Sequence, residues 1–134
     1  MLLFMTFIVW EKKYDTGIHE IDTQHKRLVD IINELFDARH SQSPQAVLNV
    51  ILSQLVDYAE HHFVFEEALI SRLNKPKLAE HKAVHQEFRD QIDEILRRQN
   101  EEEYAIEDML MKFLEGWLIK HILIEDMEAL SVNR

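Results

Sequence analysis

Four segments of helical periodicity constrain what this chain can fold into more than any other feature. Apolar residues recur in steps of three and four over residues 18–38, 45–73, 77–100 and from 101 onward, which is the pattern of helices with one buried face. Only two glycines and two prolines occur among the 134 residues, whereas sandwiches and barrels need a turn signal about every 8–12 residues. The sequence therefore predicts an all-α fold.

The breaks between these segments are short, which limits how the helices can be arranged. Segments of about 20–25 residues are about 30–38 Å long at a rise of 1.5 Å per residue, and short breaks place consecutive helices antiparallel. We expect one domain over residues 1–134, consisting of an N-terminal arm (1–17) and an up-down-up-down antiparallel four-helix bundle (18–134). A three-helix bundle with one extra segment is the alternative.

Composition excludes several classes of protein and of partner. The hydrophobic content of 46% is too high for a disordered chain, and the net charge of −10 argues against a nucleic-acid partner. The absence of cysteine excludes disulfides and thiolate-held iron–sulfur clusters. The apolar stretch Met1–Trp10 is shorter than the ~20 residues that span a bilayer and lacks the features of a signal peptide. We therefore expect a cytoplasmic protein without membrane insertion, its arm packed on the domain.

Polar residues interrupt all four helical stripes at positions where an apolar side chain is expected. An unpaired buried polar group costs ~1–3 kcal/mol, so a single buried histidine is ordinarily a satisfied structural one, but a whole set needs a shared partner. A metal is the simplest shared partner of imidazole and carboxylate. The candidate ligands are His25, His62, Glu66, His81, His85, His121 and Asp126. Three other histidines, His19, His40 and His61, lie off the stripes and are expected to point outward.

The spacing of these candidates indicates how they converge. His62 and Glu66 are four residues apart, as are His81 and His85, so each pair shares one helix face. His121 and Asp126 are five residues apart, which is ~140° of rotation on a regular helix. Both can point inward only if the fourth helix loses its regularity near residues 122–125. In an antiparallel bundle, all seven candidates then lie near one end.

The number and type of the candidate ligands favour two ions over one. Five histidines and two carboxylates exceed the four to six ligands of a single ion, and this mixture suits iron or manganese. Zinc is satisfied by four ligands, a bis-histidine haem leaves the carboxylates unexplained, and the Glu-x-x-His pairs of ferritin-like bundles are absent from the sequence. Three further residues are interpreted as solvated or as hydrogen-bond partners of ligands: Asp22, Gln24 and Glu67.

The motifs that carry these residues resemble the hemerythrin family, in its single-domain bacterial type. They are GIHEIDTQH ending at His25, His62-Phe63-x-x-Glu66-Glu67, His81-x-x-x-His85 and Trp117-x-x-x-His121-Ile122-x-x-x-Asp126. The resemblance covers essentially the whole chain in order. It implies a hemerythrin-like domain with two non-haem iron ions (Fe²⁺/Fe³⁺) joined by an oxo or hydroxo bridge.

The resemblance also implies a role for each candidate. His81, His85 and His121 hold one iron, His25 and His62 hold the other, which keeps an open position for O₂, and Glu66 and Asp126 bridge the two. The implied function is reversible O₂ binding for transport, storage or delivery to an O₂-using enzyme, without enzymatic activity. The apolar side chains expected around the O₂ position are Trp10, Leu28, Phe63, Trp117 and Leu123.

Three other functions are compatible with the same residues. A di-iron enzyme could reduce peroxide or nitric oxide or repair iron–sulfur centres, and an O₂ sensor would need an output module elsewhere. A metal-storage or zinc-stabilised bundle would have no O₂ chemistry. The response of the visible spectrum to O₂ distinguishes most of these alternatives from a carrier.

Overall fold

The computed structural model describes residues 8–97 and 103–130, except for the side chains of residues 103–108, 122 and 123. The described residues contain helices and turns but no strand, which confirms the prediction of an all-α fold. In chain order the elements are a 3₁₀ turn (Lys12–Tyr14), α1 (His19–His40), α2 (Gln45–Leu73), a 3₁₀ turn (Lys75–Lys77), α3 (Leu78–Arg97), α4 (Glu103–Lys120), a π-helical segment (His121–Asp126) and α5 (Met127–Leu130).

The helix bounds follow the sequence signals closely. α2 begins directly after Pro44, a residue that favours the start of a helix, and has the predicted bounds. It ends before Asn74, where the following Lys75–Lys77 turn contains the expected proline. The predicted end of the third helix at residue 100 and the predicted start of the fourth at 101 lie outside the described residues.

The chain divides into two compact units, Met1–His62 and Phe63–Arg134, and the boundary falls inside α2. The first unit contains α1 and the first part of α2. Its buried apolar residues, each at most 8% exposed, follow the predicted stripes except on α2, where the predicted Ile51 is half-buried and the adjacent Leu52 is buried instead. They include Ile21, Leu28, Ile32, Leu35, Leu48, Leu55 and Ala59.

A buried carboxylate fixes the chain entry into α1. Oδ1 of Asp22 accepts hydrogen bonds from the backbone N–H of Thr16 (2.7 Å) and from its hydroxyl (2.8 Å), and Oδ2 accepts one from the N–H of Gly17 (3.2 Å). The Thr16 hydroxyl in turn accepts from the N–H of Ile18 (3.1 Å). Gly17 has φ of 91°, in the left-handed region that glycine adopts without strain. The N–H groups before α1, which precede its own hydrogen-bond ladder, therefore have partners.

The described part of the arm is attached to α1. Asn33 makes a reciprocal pair with Ile8: its Oδ1 accepts from the Ile8 N–H and its Nδ2 donates to the Ile8 carbonyl, both at 2.8 Å. Ile8 is buried. The arm was expected to pack on the domain, and residue 8 does so; residues 1–7 lie outside the described part.

The second unit contains the rest of α2, α3, α4, the π-helical segment and α5. On α3 the predicted stripe is buried from His81 through Ile95, and only its first member, Leu78, is partly exposed. A hydrogen bond connects the residue after α2 to α5: Nδ2 of Asn74 donates to the Ala129 carbonyl at 3.3 Å.

The predicted stripe of the fourth helix is partly wrong. Phe113 and Trp117 are only half-buried, whereas Leu114 and Leu118 are 0% and 2% exposed. The side chain of Ile106, another predicted member, lies outside the described residues. The buried face of this helix is therefore displaced by one position from the predicted stripe, from Phe113 and Trp117 to Leu114 and Leu118.

Within the described residues, no helix combines the length and the apolar character that crossing a membrane requires.

Candidate metal centre

All seven candidate ligands are removed from solvent. Six of them are 0% exposed and His81 is 3% exposed. Two, His25 and His62, belong to the first unit, and five belong to the second unit. Charged and polar side chains are seldom fully buried unless they are paired or bind a metal, so this burial is itself a functional signal.

In the second unit three imidazoles surround one carboxylate oxygen. Oε1 of Glu66 lies 2.7 Å from Nε2 of His81, 2.9 Å from Nε2 of His85 and 3.4 Å from Nε2 of His121. α2 supplies Glu66, α3 supplies His81 and His85 four residues apart, and His121 begins the π-helical segment. The four side chains offer ligand atoms that all lie within 4.8 Å of one another.

The π-helical segment brings the second carboxylate to the same place. Oδ1 of Asp126 lies 2.7 Å from Nε2 of His81, and its Oδ2 lies 3.0 Å from Nε2 of His121. The wider turn of a π-helix places residues five apart closer to one face than an α-helix does. The predicted irregularity between residues 122 and 125 is therefore confirmed as the segment His121–Asp126.

Burial and the two carboxylates act in opposite directions on the pKa values of His81 and His121. Burial by itself lowers the pKa of His81, but the hydrogen bonds and negative charges of Asp126 and Glu66 outweigh it and raise that pKa from 6.5 to about 10. Burial lowers the pKa of His121 despite the same two carboxylates. His121 therefore favours its neutral form, the form that binds metals.

In the first unit His25 and His62 form an edge-to-face pair. Their ring centroids are 4.8 Å apart with an interplanar angle of 66°. Nδ1 of His62 lies 2.7 Å from Oε1 of the buried Gln24, so Nδ1 donates and Nε2 keeps its lone pair. An outer hydrogen bond of this kind is the usual way in which proteins orient a metal-binding histidine.

The remaining acidic neighbours have different roles. Glu67 accepts a hydrogen bond from Nδ1 of His85 at 2.7 Å, so it is a partner of a candidate ligand. Asp22, interpreted from the sequence in the same way, instead holds the entry into α1. Glu125 was not singled out from the sequence, although it is four residues after His121; its Oε1 lies 4.0 Å from Nδ1 of that histidine. The i,i+4 spacing is the signal that would have found it.

Aromatic rings cover the imidazoles of the second unit. Phe63 is fully buried and stacks on His85, with centroids 4.0 Å apart and an interplanar angle of 15°. Trp117 stacks on His121 at 4.4 Å and 20° and meets Phe63 edge-on at 5.8 Å. These two members of the predicted O₂ surroundings therefore lie against candidate ligands.

The other three predicted members are placed differently. Leu28 is buried in the first unit. Trp10 is half-buried, donates its indole N–H to Oδ1 of Asp15 at 3.1 Å and packs edge-on against Tyr14. The side chain of Leu123 lies outside the described residues.

The three histidines that were expected to have no role are exposed. His19, His40 and His61 all lie on the surface. Their exposure agrees with the prediction that histidines off the helical stripes point outward.

The donor set of the second unit fits a metal ion. Metal–nitrogen and metal–oxygen bonds of about 2.0–2.2 Å place two ligands of one ion at most about 4.4 Å apart, and the nitrogen–oxygen distances of 2.7–3.4 Å around Glu66 and Asp126 lie within that range. Imidazole nitrogen with carboxylate oxygen suits iron or manganese. His25 and His62 offer ligand atoms within 4.8 Å of each other.

Comparison with known proteins gives a consistent result. The family model described as the hemerythrin HHE cation binding domain matches residues 16–132. Over 123 residues, the chain is 38% identical to the bacteriohemerythrin of Pseudomonas aeruginosa strain PAO1 and 39% identical to that of Stenotrophomonas maltophilia, covering 91% of this chain and 78% of each relative. It is 29% identical to the bacteriohemerythrin of Clostridium acetobutylicum over 129 residues, 92% of this chain and 98% of the relative.

Proposed function

The chain belongs to the hemerythrin family, and from that premise we propose that it binds O₂ reversibly at a centre of two iron ions, for transport, storage or delivery. The observation that carries the proposal is the buried donor set around Glu66, whose Oε1 faces three imidazole nitrogens at 2.7, 2.9 and 3.4 Å. Such a set has no structural advantage over an apolar core, whereas it has the composition of an iron site.

Each candidate ligand has one place in this proposal. His81, His85 and His121 would hold one iron, and His25 and His62 the other. Glu66 and Asp126 would bridge the two ions together with an oxo or hydroxo group. The continuity of α2 supports one shared centre, because His62 and Glu66 are one helical turn apart on it.

The chemistry that the iron pair would supply is reversible electron transfer to and from O₂, by cycling between Fe²⁺ and Fe³⁺. The chain's own residues orient the ligands and exclude water. The rings of Phe63 and Trp117 cover His85 and His121, which would hold the iron that does not take O₂. Leu28, expected beside the O₂ position, is buried in the unit that contains His25 and His62. We expect apolar surroundings of the O₂ position to disfavour the proton delivery that O–O cleavage needs, and so to favour release of intact O₂ over turnover.

The visible spectrum of the iron-loaded protein tests this function. The protein is reduced without O₂, exposed to O₂ and then returned to an O₂-free atmosphere over several cycles. We expect a colour that appears with O₂ and disappears on its removal, with two irons per chain. Irreversible oxidation, or steady turnover of peroxide or nitric oxide with a reductant, would instead favour an enzyme and contradict the proposal.

Three related expectations stay predictions. They are delivery of O₂ to an O₂-using enzyme, a cytoplasmic location, and a single domain over residues 1–134.

A further inference from the structure

Two of the proposed iron-binding histidines donate a hydrogen bond from the ring nitrogen Nδ1, which is not the nitrogen proposed to bind iron. In both cases the acceptor is a side chain directly adjacent in the sequence to another proposed ligand. Nδ1 of His62 donates to Oε1 of Gln24 at 2.7 Å, and Gln24 precedes His25. Nδ1 of His85 donates to Oε2 of Glu67 at 2.7 Å, and Glu67 follows Glu66. The two hydrogen bonds have the same length, but one acceptor is a neutral amide and the other is a carboxylate.

The charge of the acceptor determines how strongly an imidazole donates electrons through its other nitrogen. A hydrogen bond to a charged acceptor is about twice as strong as one between neutral groups, and it makes a metal-binding histidine more basic. A more basic nitrogen stabilises the more positive ion, which for iron is the ferric form. His85 is therefore the stronger donor of the two, and His62 the weaker.

We propose that Gln24 and Glu67 are positioning residues that set unequal electron donation at the two iron positions, stronger through His85 and weaker through His62. The inference rests on the proposed two-iron function and deepens it. Weaker donation through His62 favours the ferrous state at the position expected to take O₂. Stronger donation through His85 favours oxidation of the other iron. Each of the two ions can then supply part of the electrons that O₂ takes up.

Exchange of the acceptor charges tests this inference. Glu67→Gln and Gln24→Glu each keep the size of the side chain and an oxygen that can accept the hydrogen bond. The measurement is the midpoint potential of the iron-loaded protein, followed by spectroelectrochemistry. We expect E67Q to raise the potential and Q24E to lower it, each by a shift equivalent to roughly tenfold in the oxidation equilibrium. The double variant Q24E/E67Q should return towards the wild-type potential.

A matched control separates the local hydrogen bond from the change in net charge. Glu115 is exposed on α4, and Glu115→Gln changes the net charge by the same amount as E67Q. The E115Q protein should keep the wild-type potential. Iron content, measured for every variant, shows whether the centre is intact.

Nuclear magnetic resonance of the zinc-loaded protein provides a second measurement that does not depend on iron or on O₂. A ring N–H that donates to a carboxylate resonates further downfield than one that donates to an amide. We expect the Nδ1 proton of His85 to be the further downfield in the wild type, to move upfield in E67Q, and the His62 proton to move downfield in Q24E.

The possible results separate the two proposals. If the wild type holds two irons and cycles with O₂ while both variants keep its potential, or shift it in the same direction, this inference is overturned and the proposed function stands. Unmoved Nδ1 proton signals overturn it as well. A wild type that holds no iron contradicts both proposals.

Discussion

At the scale of single residues, Glu66 is the carboxylate around which three other candidate ligands lie. Its Oε1 faces Nε2 of His81, His85 and His121, and it lies one helical turn after His62 on α2. Such a residue could be identified from the sequence because a carboxylate on an apolar stripe is costly without a partner. Its individual distances could not be predicted, because they depend on how α3 and the π-helical segment are placed against α2.

Replacement of this carboxylate tests its role as a bridge. Glu66→Ala removes a ligand that both iron ions would share, so we expect well under two irons per chain by metal analysis. The exposed Glu115 on α4 supplies the matched control, and E115A should keep two. An E66A protein that still binds two irons would contradict the bridging role.

The hydrogen-bond partners at this scale were predicted only in part. Gln24 and Glu67 were interpreted from their positions beside ligand motifs, and both contact a candidate ligand, His62 and His85 respectively. Asp22 was interpreted in the same way, but its carboxylate turns back to Thr16 and Gly17. Sequence spacing predicts that a residue lies near a site, but it does not predict which nearby donor forms a hydrogen bond with its side chain.

At the scale of structural elements, the bounds of the helices were predicted better than their most buried faces. On α2 the predicted Ile51 and Leu69 are half-buried, whereas the adjacent Leu52 and Ile70 are buried. α2 has the predicted bounds, and the stripe of α3 is buried from His81 to Ile95. On α4 the predicted Phe113 and Trp117 are half-buried and Leu114 is fully buried. Tryptophan is rarely buried completely because of its size, and periodicity cannot choose between two adjacent apolar faces.

The entry into α1 leads to a prediction about stability. Asp22→Ala leaves the N–H groups of Thr16 and Gly17 without their acceptor, which should lower the free energy of unfolding by about 1–3 kcal/mol. Urea unfolding followed by circular dichroism measures the difference. The exposed Asp30 on the same helix is the control, and D30A should stay close to the wild type. Equal stability of D22A and D30A would show that the Asp22 hydrogen bonds do not stabilise the fold.

From the π-helical segment we predict that iron binding tolerates the deletion of one residue in this segment better than the insertion of one residue. Removal of the exposed Ile124 leaves His121 and Asp126 four positions apart, a spacing that places both on one face of an α-helix. Insertion of an alanine after Ile124 instead rotates Asp126 by about 100° on a regular helix.

Metal analysis of the two variants distinguishes these cases. We expect the deletion variant to retain most of its iron and the insertion variant to lose it. The opposite order would show that the wide turn itself, and not the direction of the two side chains, is what the site requires.

At the scale of the whole molecule, family membership together with four long helices confirms the four-helix-bundle class that the sequence predicted. The identity of the family could be read from motifs spread over most of the chain. The geometry of the hydrogen bonds around the site could not be read in this way, because it depends on how the buried side chains pack together.

The metal-free protein should lose stability as the solution becomes alkaline. The pKa of His81 is raised from 6.5 to about 10 by Asp126 and Glu66, against the effect of burial. Protonated His81 therefore stabilises the folded state fully below pH 6.5, and this contribution disappears as the pH rises through about 10.

Urea unfolding of chelator-treated protein between pH 7 and 10.5 measures this effect. We expect the free energy of unfolding to fall over this range, and to fall less in His81→Gln, which cannot carry the proton. Parallel pH profiles of the two proteins would exclude His81 as the source.

Anomalous diffraction from crystals of the iron-loaded protein tests whether the seven buried side chains hold two iron ions. We expect two iron peaks, one bonded to Nε2 of His81, His85 and His121 and the other to His25 and His62, with carboxylate oxygens of Glu66 and Asp126 bound to both. A single peak, or a second peak that neither His25 nor His62 touches, would contradict this proposal.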